Sequence, residues 1–139
     1  MKKSKFIKIQ TKGTFTNITD IVLEECLKVG HSGLVNLFVE HTTCGIKILE
    51  DEKLLLADYE RILQQFAPEG EFYAHNIIQA RDVLPTERIN GHSHIRALFF
   101  EPSIVLPVSR GVIQLGKWQS IFLVDLDPSR ERKIAINFI

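Results

Sequence analysis

Between residues 103 and 139 the chain falls into four apolar-rich runs, at 103–108, 112–115, 119–126 and 133–139. Only turn-forming residues separate them: Ser109-Arg110-Gly111, Gly116 and Asp127-Pro128-Ser129. Parallel strands need a crossover of about a dozen residues or more, so connections this short predict antiparallel pairing. A C-terminal β-meander is the expectation. The first half of the chain carries helical periods as well as strands. Helices early and a meander late define an α+β domain rather than a doubly wound sheet.

Residues 6–11 alternate about Ile7 and Ile9, the period of a half-buried strand, and 13–17 read as a turn or short strand. Ile18, Ile21, Val22, Cys26 and Val29 then recur at helical spacing, with Asn17 or Thr19 as cap and Gly30 as stop. Cys26 lies on that stripe and reads as a small buried hydrophobe. The strongest strand signal is 34–41, where Val35, Leu37, Val39 and His41 share one face. A histidine ending a buried face needs a partner, because an unsatisfied polar group there costs roughly 1–3 kcal/mol. A backbone carbonyl, a metal or a ligand would each serve.

After a bend at Thr42-Thr43-Cys44, residues 45–49 read as another short strand. Leu55, Tyr59, Ile62, Leu63 and Phe66 mark a second amphipathic helix, closed by Pro68-Glu69-Gly70. Residues 71–90 have no clean period. A loop of that length is uncommon in a small domain unless it is functional or disordered, and this one holds Tyr73, His75, Asn76, Arg81 and Asp82. A short helix is expected from about His92, with Ser93 as its cap.

The 139 residues read as one domain spanning 1–139, large enough for a core without staples. Lys+Arg and Asp+Glu are equal at 17 each, so no broad positive field gathers nucleic acid. Cys26 and Cys44 have neither redox-motif nor zinc-knuckle spacing. No apolar run approaches the length of a membrane span, and Met1-Lys2-Lys3-Ser4-Lys5 is not followed by the apolar stretch of a signal peptide. The expectation is a cytoplasmic globular protein, with neither nucleic acid nor membrane as partner.

Four of the five histidines lie between His41 and His94. Imidazole is the commonest metal ligand and titrates near neutrality, so such a gathering suggests metal binding or proton transfer. His92 stands two residues from His94 on a short helix and would not share its face. His31, between Gly30 and Gly33, reads as a solvated turn residue.

Several stretches together resemble the YjbQ-like family of uncharacterised proteins. They are His41-Thr42-Thr43 with Ile48 and Glu50; His75 after an aromatic; Asn90 with Ser93-His94-Ile95-Arg96-Ala97; Pro102-Ser103 with Leu106-Pro107-Val108; Gly111; Leu115-Gly116-x-Trp118-Gln119-x-Ile121; and Asp125 with Arg130. The likeness covers nearly the whole chain, and Gly116-x-Trp118-Gln119 is its most specific part. The chain departs from the family pattern at Leu49, where asparagine is usual, at Glu101, where glycine is usual, and at Asp127-Pro128-Ser129-Arg130, which stands for an Asp-Gly-Pro-Arg turn. The resemblance implies a sandwich-like α+β subunit with antiparallel or mixed sheets and two main helices. It also implies a homotrimer with sites near subunit contacts and, for part of the family, secondary thiamine-phosphate synthase-type activity.

On that basis His41, His75 and His94 are expected to hold one divalent metal, with zinc the first choice because three imidazoles leave a fourth position open. Spacing alone does not unite them, since they lie on separate elements; the competing reading is that His94 or His75 works alone as acid or base. Glu50 is a candidate for orienting an imidazole or acting as general base, with His94 as its catalytic companion. Thr42, Thr43, Ser103 and Arg130 offer donors to a phosphate or other anion. Trp118 and Gln119 could stack on and hydrogen-bond a ligand, although an aromatic in a strand is more often core. Cys44 is not expected to act as a nucleophile. The resulting expectation is a metal-assisted enzyme acting on a small phosphorylated molecule, in the manner of thiamine-phosphate synthase. A metal-dependent hydrolase and a non-catalytic trimeric binding protein are the alternatives.

Overall fold

Every strand pairing among the described residues is antiparallel, as the short connections predict. The structure, a computed structural model, describes residues 4–139; the basic opening Met1-Lys2-Lys3 lies outside the described residues. Strands β1 (Lys5–Gln10), β3 (Gly33–Val39), β5 (Ser103–Ser109), β6 (Val112–Ile113) and β8 (Glu131–Phe138) form one sheet in the order β1-β8-β3-β5-β6. Strands β2 (Phe15–Asn17), β4 (Cys44–Leu49) and β7 (Ser120–Asp125) form a second in the order β2-β7-β4. Helices α1 (Thr19–Val29), α2 (Lys53–Phe66) and the short α3 (Gly91–Arg96) complete an α+β fold.

The last four strands are all present, but they do not run as a meander. Only β5 and β6 remain consecutive neighbours, joined by a tight turn in which Arg110 and Gly111 both take positive φ (48° and 80°). That is the requirement of a two-residue type I′ hairpin. β7 crosses to the second sheet between β2 and β4, and β8 inserts between β1 and β3. Partners from the first half of the chain thus claim both strands.

The sheets share a core of Ile7, Val35, Leu37, Ile46, Ile121, Leu123, Ile134 and Ile136, together with Ile18, Val22 and Cys26 of the α1 segment. A second cluster of Leu63, Phe122, Val124 and Leu126 lies on the other side of β7, against α2. β7 is therefore covered on both faces, which explains its continuous apolar run. The apolar stripes of the helices are narrower than their periods suggest. Ile21 and Val29 of α1, and Ile62 and Phe66 of α2, are exposed by 42–52%.

Caps follow local chemistry. Glu52 caps α2 by accepting the N–H groups of Leu54 and Leu55. The cap position of α1 is Ile18, neither Asn17 nor Thr19; Asn17 Oδ1 takes only the Thr19 N–H, at 3.0 Å. Gly30 ends α1 in the left-handed conformation with its N–H on the Cys26 carbonyl. Ser93 does not cap α3; it lies inside the helix and donates to the Leu126 carbonyl at 2.5 Å. His31 is not free in its turn either: its Nε2 pairs with the Ile139 carbonyl at 2.8 Å. The period-free stretch resolves into two single-turn 3₁₀ helices, Ala74–Asn76 and Ile78–Ala80. No helix among the described residues is long and apolar enough to cross a membrane.

Candidate functional site

Four pieces of chain meet at one end of the sheets: the bend after β3, the end of β7, the entry to β8, and the 71–94 segment leading into α3. Between them lies a cavity of about 390 Å³, its walls carrying His41, His75, His94, Arg81, Arg130 and Arg132, among others. Thr42, Thr43, Glu40, Glu87 and Asn90 complete the lining.

The floor is a buried ionic network. Arg132, 1% exposed, clamps Asp125 with Nε and Nη2 at 2.8 and 2.7 Å, and Nη2 also reaches Thr43 Oγ1 and the Asp127 carbonyl. Thr11 donates to Asp125 from the other side at 2.6 Å. One step nearer the surface, Asp127 accepts a fork from Arg88 at 2.8 and 2.5 Å, Asn90 Nδ2 at 3.0 Å and Arg130 Nη1 at 3.3 Å. Burial pushes the carboxyls of Asp125 and Asp127 up, but these donors outweigh it and leave both below the ordinary 3.8. Arg132 spends Nε and Nη2 on the protein, and its Nη1 takes no protein acceptor among the described residues. A guanidinium held this rigidly, with one amino group unspent beside a cavity, is prepared for an anion.

His41 continues the inward face of β3 one step past the strand's end. Its Nε2 accepts the backbone N–H of Lys133 at 3.0 Å, filling the place of a further ladder bond between β3 and β8. The partner is thus a main-chain donor, not a carbonyl, and that fixes the ring's chemistry. A nitrogen that accepts is unprotonated, so the proton of the neutral ring sits on Nδ1. Burial, then the charges of Arg132 and Arg130, hold the ring's pKa below 6.5 and keep it neutral. His41 therefore offers a donor.

His75, on its 3₁₀ turn, and His94, in α3, meet edge to face with ring centroids 4.5 Å apart. Burial, followed by the nearby His75 and Arg81, lowers the pKa of His94. Arg81 Nη1 donates to the His75 carbonyl at 3.1 Å, tying the turn beneath the ring. Gly91 lets α3 approach this segment, since a Cβ there would lie 2.6 Å from Tyr73 Cβ. Among the described residues no three His, Cys, Asp or Glu side chains are grouped so as to hold a metal ion.

Of the residues expected from sequence, the cavity gathers His41, His75, His94, Thr42, Thr43 and Arg130. Thr43 is buried and its hydroxyl serves Arg132. Glu50 is exposed at the far end of β4, about 20 Å away at ~3.3 Å per strand residue. Ser103 begins β5 opposite Phe38, away from the cavity lining. Gln119 closes a local turn by accepting the Gly116 N–H at 2.8 Å, while Trp118 is 66% exposed beside Lys117. His92 faces a different cavity with Glu60, Glu69, Arg88 and Arg96. Arg132, Arg81, Asn90 and Asp127 belong to the site but were not singled out as site residues. For Arg132 a signal exists: it shares the inward face of β8 with Ile134 and Ile136. A cation on an apolar strand face demands a buried partner.

A fold of two antiparallel sheets with this connectivity is already seen in solved structures. Over residues 4–139 the chain matches the model of the UPF0047 protein YjbQ-like family, and it belongs to that family. A UPF0047 protein of Methanothermobacter thermautotrophicus is 38% identical over 106 residues, 76% of this chain and 68% of the relative. One from Archaeoglobus fulgidus is 32% identical over 120 residues, 86% of each chain. Among solved structures, a YbjQ-like protein of unknown function from Sulfolobus solfataricus P2 superposes with a TM-score of 0.83 at 32% identity, covering 99% of this chain and 98% of that one. A hypothetical protein from Aeropyrum pernix K1 gives 0.86 at 26% identity with the same coverage.

Proposed function

We propose that the cavity binds a small phosphorylated molecule and that the His75–His94 pair transfers protons to or from it. The observation that supports this is Arg132: buried, clamped by Asp125, and with Nη1 unspent beside the cavity. Arg81, Arg130 and the Nδ1–H of neutral His41 supply further donors around the same space. A phosphate's oxygens match guanidinium forks, and a neutral imidazole beside them can act as general base. The thiamine-phosphate synthase-type transfer implied by the resemblance fits this class, because both of its substrates are phosphorylated. Phosphoester hydrolysis and plain anion storage use the same binding groups.

The test is titration calorimetry with inorganic phosphate. Binding is expected, weakened about tenfold or more in Arg130→Ala, as for a lost charged hydrogen bond. Absence of phosphate binding, or binding indifferent to Arg130→Ala and Arg81→Ala, overturns the reading. Turnover of a pyrimidine diphosphate with a thiazole phosphate, then of simple phosphate esters, separates transferase from hydrolase and from binding protein.

A divalent metal is a second reading, supported by the close His75–His94 pair. As built, the donor set fits only in part. His41 Nε2 holds the Lys133 N–H, so a three-imidazole site needs His41 to use Nδ1 and lose its proton. Elemental analysis of the purified protein decides: about one zinc per chain, lost in His75→Ala and His94→Ala, supports the ion; none leaves phosphate binding to the arginines alone. The homotrimer implied by the resemblance would draw on the outer face of the larger sheet, where Phe6, Leu34, Phe38 and Val105 are exposed by 40–53%. Sedimentation equilibrium measures that mass directly.

A further inference from the structure

We infer that the ligand of this cavity is a phosphate ester of a polyol or amino alcohol, and that Asn90 is the residue that recognises its hydroxyl or amino group. The inference rests on the phosphate-binding reading above and names the substrate class for it.

Asn90 is 7% exposed and lines the cavity. Its Oδ1 is the one buried side-chain nitrogen or oxygen among the described residues with no hydrogen-bond partner. Buried acceptors are satisfied almost without exception, and an orphan at a cavity wall points to a missing partner. The amide cannot turn over to relieve it. Nδ2 donates to Asp127 Oδ2 at 3.0 Å, so the flipped amide would set Oδ1 against a carboxylate. The main chain does not help either: the N–H of Gly91, next in sequence, is taken by Asn76 Oδ1 at 2.9 Å, and those of Ser93 and His94 go to the Asn90 carbonyl.

The position of this acceptor sets the ligand chemistry. Arg130 Nη1 and Asn90 Nδ2 both donate to the same oxygen of Asp127, at 3.3 and 3.0 Å. Cation and acceptor are thus neighbours across one carboxylate oxygen. A ligand that sets its phosphate against the arginines brings its adjoining substituent to Asn90, and Oδ1 accepts only from O–H or N–H. A site with a buried polar group awaiting a partner rejects the analogue that lacks it, because the analogue leaves that group unpaired and dry.

Two probes of equal carbon number test this: glycerol 3-phosphate, with two hydroxyls, and n-propyl phosphate, with none. Wild-type protein is expected to bind glycerol 3-phosphate at least tenfold more tightly in calorimetry. In Asn90→Leu that preference, read as the ratio of the two ester affinities within the one variant, falls to about twofold or less. If Asn90→Leu does not fold, Asn90→Ala carries the same comparison, and the wild-type pair needs no variant. Equal binding of the two esters by wild-type protein overturns the inference while leaving the phosphate site standing, as does a preference that survives Asn90→Leu. No binding of either ester and none of inorganic phosphate removes the phosphate site and this inference with it.

Discussion

The chemistry of the site is set by which atoms are already spent. His41 has given Nε2 to the Lys133 amide, so its ring is a donor through Nδ1. Nitrogen-15 long-range NMR at pH 7.5 is expected to show the neutral Nδ1–H form for His41; an Nε2–H ring would overturn the donor role. Arg132 has given Nε and Nη2 to Asp125. Replacing Arg132 by Leu strands a buried carboxylate and is expected to lower unfolding free energy by about 3–5 kcal/mol in urea titration. Cys44, although next to the site, is inert: burial, then Asp125, pushes its thiol up to about 12, so slow alkylation in the folded state is expected. Neither His41's bond to Lys133 nor Arg132's bond to Thr43 could be found from spacing, because these contacts join residues 92 and 89 positions apart that only strand pairing brings together.

At the level of elements, the same residues read correctly wherever a local rule decides. The Arg110-Gly111 turn is such a place, since its φ values demand glycine second and a tight hairpin follows. Gly111→Ala is expected to cost about 1–3 kcal/mol: φ is +80°, and a Cβ would sit 2.9 Å from the Cys26 carbonyl oxygen. A thermal melt indistinguishable from wild type would show that the turn relaxes freely. The strands at 112–113, 120–125 and 131–138 were legible as strands, yet their sheet membership was not. β7 has apolar residues toward both neighbours, so nothing in its own pattern chooses a face. The short helix expected from about His92 is α3, starting one residue earlier at Gly91. The 3₁₀ turns were obscured because elements that short lack a full helical period.

For the molecule as a whole, the partly or fully buried titrating groups set how stability depends on pH. His41, His92 and His94 are each held below 6.5, with burial the first cause. The unfolded chain then binds more protons than the folded one as pH falls below about 6.5, so stability is full above that value and declines below it. Asp125 and Asp127 lie below 3.8 in the fold, which adds a second loss when pH drops under about 4. The melting temperature is therefore expected to be flat near pH 7–8, to fall from pH 6.5 toward 5, and to fall again below 4. A curve flat from pH 7.5 to 5 would contradict the burial of these imidazoles.

What the sequence determined by itself is the set of elements: antiparallel strands from short connections, two helices from their periods and caps, and an α+β whole. Those features depend on neighbours within a few residues, where backbone sterics and side-chain alternation decide. It also pointed to His41, His75, His94 and Arg130, through the gathering of histidines in the central third and the resemblance to the YjbQ-like family. Only the tertiary structure decided that β7 and β8 leave the meander for separate sheets, that Glu50, Trp118 and Gln119 stand outside the cavity, and that Arg132 and Asn90 line it. Sheet partners are chosen by the free energy of burying faces contributed from distant parts of the chain, and that choice alone carries the ring of His41 and the guanidinium of Arg132 to the same wall.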